Sequence, residues 1–188
     1  MKQFTAAAVL VTLSAATLAD PVTYIVDSNH TLPRFEYNHL GFSTQVGRFD
    51  KATGKIVLDL AAKTGSADIV IDATSVNTGS AKFDEHIQSE DFLDTAKYPT
   101  ITFKGERFKF QGDKPAKVEG QLTIKGVTKP VTLTVTTFNC GLHPMAKKEA
   151  CGANAFTSIK RSEFNAGKYA PMVSDQVTLN IPVEAIKE

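Results

Sequence analysis

The sequence predicts a mainly β protein, a sandwich or an antiparallel barrel, interrupted by a short helical insertion near residues 78–96. Three observations lead there. In residues 120–136, GQLTIKGVTKPVTLTVT, the side chains Val131, Leu133 and Val135 alternate with Thr132, Thr134 and Thr136, the two-residue period of a sheet with one apolar and one polar face. Many similar short runs follow one another at regular spacing, the pattern of all-β architectures. One stretch alone changes to helical spacing.

In chain order, candidate strands cover 24–25, 34–37, 41–49, 54–60, 67–71, 100–110, 117–124, 131–138, 153–159 and 176–183. The intervals 50–54, 63–66 and 111–115 carry the Gly, Pro, Asp or Ser expected of turns. Gly126 supplies a hairpin turn, and Pro130 is expected to open the return strand, where its missing N–H does least damage. In the insertion, Phe83, His86 and Ile87 fall at helical spacing, Phe92 follows, and Ser89-Glu90-Asp91 reads as a cap followed by first-turn acids. One or two short helices are expected, lying across an open barrel end with Phe83, Ile87 and Phe92 pointing inward.

The N-terminus combines Lys2, an apolar run from Ala6 to Leu13, and small residues from Ser14 to Ala19. It reads as a secretory signal peptide cut after Ala19, leaving one domain over residues 20–188. Its apolar run is too short to span a bilayer and no later run is long enough, so no stable membrane insertion is expected. No Cys follows the cut, which argues against a lipid-modified N-terminus. Cleavage removes one of 21 Lys and Arg, against 20 Asp and Glu, and leaves the mature chain neutral. A neutral chain disfavours nucleic acid as a partner. In an exported protein, Cys140 and Cys151 read as a disulfide closing a hairpin end, since a redox pair would call for C-x-x-C spacing.

A set of motifs then comes together along the chain. It comprises Asp27-x-x-His30, Phe35, His39-x-Gly41, Gly47-x-Phe49, Phe83-Asp84-x-His86-Ile87-x-Ser89-x-Asp91-Phe92, and Lys97-Tyr98-Pro99-x-Ile101-x-Phe103. Gly120-x-Leu122-Thr123-x-x-Gly126-Val127-Thr128-Lys129-Pro130 and Arg161-Ser162-x-Phe164 complete it. Over nearly the whole mature chain this order closely resembles the YceI-like family. The resemblance implies an extended, lipocalin-like antiparallel barrel of about eight strands, exported to the bacterial periplasm. It also implies an enclosed isoprenoid lipid, such as a quinone or polyprenyl chain, or a similar long-chain amphiphile as the ligand, with no further cofactor. Two departures stand out: Asn165 occupies a position where the family has Gly, and the Cys140–Cys151 excursion looks like an addition at one barrel end.

The candidate inward rows are wholly apolar, and each ligand methylene buried among them would contribute about 0.8 kcal/mol. From the residues alone, a lined tunnel and a filled core both remain open; the resemblance implies the tunnel. The candidate lining is Phe35, Phe49, Ile69, Ile71, Phe83, Ile87, Phe92, Ile101, Phe103, Leu122, Val135 and Arg161. Ala73 and Val135 are the positions where a larger side chain would block a ligand tail. Arg161 is expected to pair with an internal carboxylate, Asp91 or Asp27, with a ligand head group as the alternative.

No metal site is expected, because no second ligand stands at a typical spacing from His30, His39 or His143; His30, His39 and His86 are read as loop-orienting hydrogen bonders. Ser89 and Ser162 lack an elbow motif, and Asp84, Glu85, Glu90 and Asp91 read as helix first-turn charges, so no enzyme is expected. The leading expectation is periplasmic binding and transport or storage of an isoprenoid lipid. The alternative is a ligand-free interaction or stress-response module on the same barrel. A homodimer is compatible with either.

Overall fold

The alternating runs pair into one antiparallel sheet in the computed structural model, which describes residues 20–188. The signal-peptide reading lies outside the described residues. The strands are β1 (Val22–Val26), β2 (Arg34–His39), β3 (Ser43–Phe49), β4 (Ala52–Asp59), β5 (Thr64–Asp72), β6 (Val76–Asn77), β7 (Thr100–Gln111), β8 (Lys114–Ile124), β9 (Val127–Leu142), β10 (Glu149–Lys160) and β11 (Gln176–Lys187). One helix, α1 (Ala81–Gln88), and two 3-10 turns, Ala73–Ser75 and Arg161–Phe164, interrupt them.

The ladder runs β1-β4-β5-β7-β8-β9-β10-β11 and closes through β1 with β11, a barrel of eight strands. Closure gives each of these eight strands two neighbours over part of its length, which limits the open edges through which sheets aggregate. Strand β11 serves two neighbours: residues 185–187 pair with β1, whereas residues 178–180 pair with β2. β2 in turn carries β3, and β3 carries β6. The wall therefore consists of β1 and β4 at one end and of β2, β3 and β6 at the other, which is how the barrel comes to be extended.

The 124–127 hairpin corrects one expectation. Lys125 and Gly126 have φ of 49° and 75°, the two positive values of a type I′ loop that matches strand twist. Val127 already pairs with Ile124, so Pro130 does not open the strand but lies within β9, opposite Gln121. It is tolerated because β10 meets β9 only from Thr134 onward, so at Pro130 β9 has a ladder partner on one side alone. Gly54, shared by the expected 50–54 turn and 54–60 strand, belongs to β4, which starts two residues earlier at Ala52, and β6 was too short to show as alternation.

The insertion holds one helix, not two. Asp84 in the first turn of α1 accepts from the Thr78 N–H and hydroxyl, both at 2.7 Å. Ser89, expected to start a second helix, is the C-cap of α1, with its Oγ donating to the His86 carbonyl at 2.7 Å. Glu90 and Asp91 lie in the turns that follow, so they are not first-turn acids.

At the opposite end, Cys140 and Cys151 face one another across β9 and β10 with Cα atoms 4.1 Å apart, and they form a disulfide. Replacing both with Ser is expected to lower unfolding stability by about 2–3 kcal/mol, the loop-closure entropy of a link this short. Denaturant titration of the oxidised protein beside the double variant checks this, and an unchanged midpoint would show the link to be redundant.

Candidate ligand cavity

A cavity of about 480 Å³ occupies the barrel interior, within the range of sites that hold small ligands. It extends from Tyr24, Leu58, Cys151 and Ala185 near the disulfide end to Phe83, His86, Phe92 and Tyr169 under α1. The strand pleat explains the lining: Phe35 and Tyr37, Ile69 and Ile71, Ile101 and Phe103, and Val131, Leu133 and Val135 each recur at the two-residue spacing that keeps one face inward. Gly47 helps here, because a Cβ would run into the Phe35 ring that lies across the inner face.

Phe35, Phe49, Ile69, Ile71, Phe83, Ile87, Phe92, Ile101, Phe103, Leu122, Val135 and Arg161 all stand in the cavity wall. Ala73 does not. It is 1% exposed and opens the Ala73–Ser75 turn, inside the buried core but outside the cavity wall, so a larger side chain there would not stand in the ligand space.

Sequence reasoning missed Tyr37, Phe108, Phe138 and Tyr169. Tyr37 could have been found by extending the row from Phe35. The two Phe residues could not: the register shifts between Gly105 and Arg107 and again opposite Asn154–Ala155, so that even-numbered Phe108 and Phe138 continue odd-numbered inward rows. A β-bulge inserts one unpaired residue and reverses the faces beyond it.

Arg161 is 8% exposed, and its partners differ from those expected. Asp91 is engaged by Lys168 at 3.4 Å and by the Tyr169 hydroxyl at 3.2 Å, while Asp27 holds His30 at 2.7 Å. The guanidinium instead donates to backbone carbonyls: Nε to Ser174 at 2.8 Å, Nη1 to Ala166 at 2.6 Å and Lys168 at 2.7 Å, and Nη2 to Val173 at 2.7 Å. These four acceptors all belong to the segment after the second 3-10 turn, which wraps the cation as a cage. Asn165, at φ 58°, makes the left-handed turn that starts the wrap, a conformation Asn tolerates better than most residues. Burial pulls the Arg161 pKa down, against the charge of Asp175. The Phe92 ring lies 5.7 Å from Cζ.

The Tyr37 hydroxyl is buried without a hydrogen-bond partner. Burial raises its pKa, and the nearby Arg161 charge opposes the rise. At the mouth, His86 contributes by aromatic packing rather than by the expected hydrogen bonding: its ring centroid lies 5.0 Å from Phe92 and 6.3 Å from Tyr169. His39 forms an isolated backbone bridge with Val173, and His143 Nδ1 accepts from the Met145 and Ala146 N–H groups.

Donor atoms of Asp27, His30 and Glu184 lie within 4.8 Å of one another, a grouping hidden in the sequence because Glu184 comes from β11. The hydrogen bond from His30 lowers the Asp27 pKa and raises that of His30. Ser89 and Ser162 spend their hydroxyls on the His86 carbonyl and the Asp175 carboxylate.

At the disulfide end, the buried Tyr24 hydroxyl donates to Glu149. Burial, and then the Glu149 hydrogen bond, push its pKa up to about 12. A folded pKa above the unfolded value gives stability that is whole below about 10 and lost as pH rises through about 12. Urea unfolding across that interval should therefore steepen in the wild type and flatten in Tyr24→Phe. An identical pH slope in both proteins would contradict the assignment.

The YceI-like domain model matches residues 24–185. Protein YceI of Escherichia coli O157:H7 is 36% identical over 189 residues, covering 98% of this chain and 95% of the relative. Among solved structures, BcnA of Burkholderia cenocepacia superposes with a TM-score of 0.72 at 27% identity, covering 85% of this chain and 99% of BcnA. The YceI protein of Campylobacter jejuni gives 0.70 at 31% identity, covering 80% and 90%. A polyisoprenoid binding domain from Saccharophagus degradans gives 0.65 at 18% identity, a likeness of fold, over 89% and 99%.

Proposed function

This chain belongs to the YceI-like family, and on that footing we propose that it is an exported carrier or reservoir for an isoprenoid lipid, a quinone or polyprenyl chain, held in the barrel without chemistry. The observation that carries the reading is the cavity: a closed barrel with a connected, almost wholly apolar interior running from Tyr24 to Tyr169. An elongated hydrocarbon suits such a lining, gaining about 0.8 kcal/mol for each methylene buried, whereas a sugar or peptide would leave polar groups unpaired. That the Saccharophagus degradans domain of the same fold is described as polyisoprenoid binding supports the same ligand class. The N-terminal residues and the cysteine pair support export to the periplasm as part of this reading.

We place the polar end of the ligand near the orphaned Tyr37 hydroxyl and His86, beside the caged charge of Arg161. Native mass spectrometry of protein purified from its own host, followed by lipid extraction, tests the proposal. A stoichiometric isoprenoid adduct is expected. Protein that is lipid-free from its host and also fails to take up a prenylated quinone in vitro would leave the interaction-module reading in its place.

A further inference from the structure

Two loops meet beside the cavity mouth. The β2–β3 turn and the segment after Arg161 are joined by Leu40 N–H donating to the Met172 carbonyl at 3.1 Å, by Ser174 N–H donating to Asn38 at 3.0 Å, and by the His39–Val173 bridge. At their tips Phe42 is 88% exposed, Met172 66%, Leu40 46% and Tyr169 42%. Residues 40–47, LGFSTQVG, and 169–174, YAPMVS, contain no charged side chain. Leu40 and Tyr169 moreover hold φ of 56° and 64°, the left-handed region where Gly or Asn would sit with less strain. Two apolar side chains are thus kept exposed at positions where local stability favours other residues.

Position decides what this patch meets. Tyr169, His39 and Val173 also line the cavity, so the apolar rim is continuous with the interior. The four side chains expose on the order of 500 Å² of apolar surface, short of the roughly 800 Å² per partner that a stable protein interface buries. A patch that is small, uncharged at its tips though bordered at Tyr169 by the paired charges of Lys168 and Asp91, and continuous with a hydrocarbon-lined cavity matches the hydrocarbon–headgroup boundary of a bilayer, where aromatic and aliphatic side chains partition at shallow depth. We propose that the Leu40–Phe42 and Tyr169–Met172 tips form a membrane-docking rim, which seats the cavity mouth on a lipid surface and so opens it to a membrane-resident ligand. Docking is peripheral and reversible, since no helix among the described residues is long and apolar enough to cross a membrane. The inference rests on the carrier reading for its purpose, though not for its geometry.

Flotation of the exported chain with zwitterionic phosphatidylcholine vesicles tests it. The wild type is expected to float with the vesicles, as fully at high salt as at low. Phe42→Ser combined with Met172→Ser should cut the partition coefficient at least tenfold while leaving the thermal midpoint unchanged, because both side chains stand in solvent. Leu142→Ser combined with Met145→Ser serves as a control: these side chains are equally apolar and exposed, at 74% and 85%, but lie at the opposite end of the barrel. That pair should float as the wild type does.

Equal flotation of the rim variant, no flotation of the wild type, or binding that salt removes would each overturn the proposal. So would concentration-dependent dimerisation, measured by sedimentation, that Phe42→Ser abolishes. The two readings fail separately: protein that floats but never carries lipid defeats the carrier, and protein that carries lipid but never floats defeats the rim.

Discussion

Replacing Arg161 with Met is expected to cost roughly 3–5 kcal/mol of unfolding free energy, the largest loss of any single substitution at the cavity. Met keeps most of the volume and removes every donor. The carbonyls of Ala166, Lys168, Val173 and Ser174 then lose their guanidinium partner; the buried Ala166 acceptor left unpaired costs about 1–3 kcal/mol and the three part-buried ones less, before relaxation. For a domain of this size the thermal midpoint should fall by about 10 °C. Arg161→Lys should recover only part, because an ammonium offers three donors from one point and cannot span four carbonyls arranged around a plane.

Hydrogen exchange supplies the readout that separates a local cage from a general loss of packing. Amides of residues 161–175 should lose protection before those of β8 or β10. If Arg161→Met stays within about 1 kcal/mol of the wild type, the guanidinium is not holding the segment, and its main service would be to the ligand.

The same residue shows where sequence reading runs out. Its place just after the 153–159 strand was legible, and its need for partners followed from its charge. The partners themselves did not follow: all four are main-chain oxygens, which every residue carries and no residue type marks. The acid thought to serve it, Asp91, was closer to Lys168 and Tyr169 once the loops were folded.

The inward rows were legible as far as the pleat stayed regular. Phe35, Ile101 with Phe103, and Val131 through Val135 needed nothing beyond alternation. Phe108 and Phe138 lay beyond bulges, and a bulge is set by barrel closure rather than by local residue type. The hairpin at 124–127 was recognised from Gly126. Its start was misplaced because Pro130 was read by its intrinsic preference, without the knowledge that β9 has only one neighbour there.

Val135→Phe is expected to abolish ligand uptake while leaving the fold as stable as the wild type or more so. Val135 faces the cavity and lies opposite Ala155 of β10, itself in the lining, so a ring has unfilled volume to enter. In a filled core the added carbons would force displaced rotamers and cost about 1–3 kcal/mol. In a vacant cavity the same carbons bury apolar area, worth about 25 cal/mol per Å², and the tail is what they displace. Ala73→Phe is the internal comparison. Ala73 is buried but lies outside the cavity, so this substitution should show the overpacking cost and leave the ligand space open. Thermal unfolding of lipid-stripped protein and recovery of bound isoprenoid, measured together on both variants, give opposite patterns under the cavity reading. Val135→Phe should keep its midpoint and lose more than nine-tenths of the lipid, the effect of a roughly twentyfold weakening, about 1.8 kcal/mol or more, on occupancy near half-saturation. Ala73→Phe should lose midpoint and retain binding in whatever fraction stays folded. Two variants destabilised alike, with lipid recovery unaffected in both, would mean that the ligand does not occupy the β9–β10 side of the barrel.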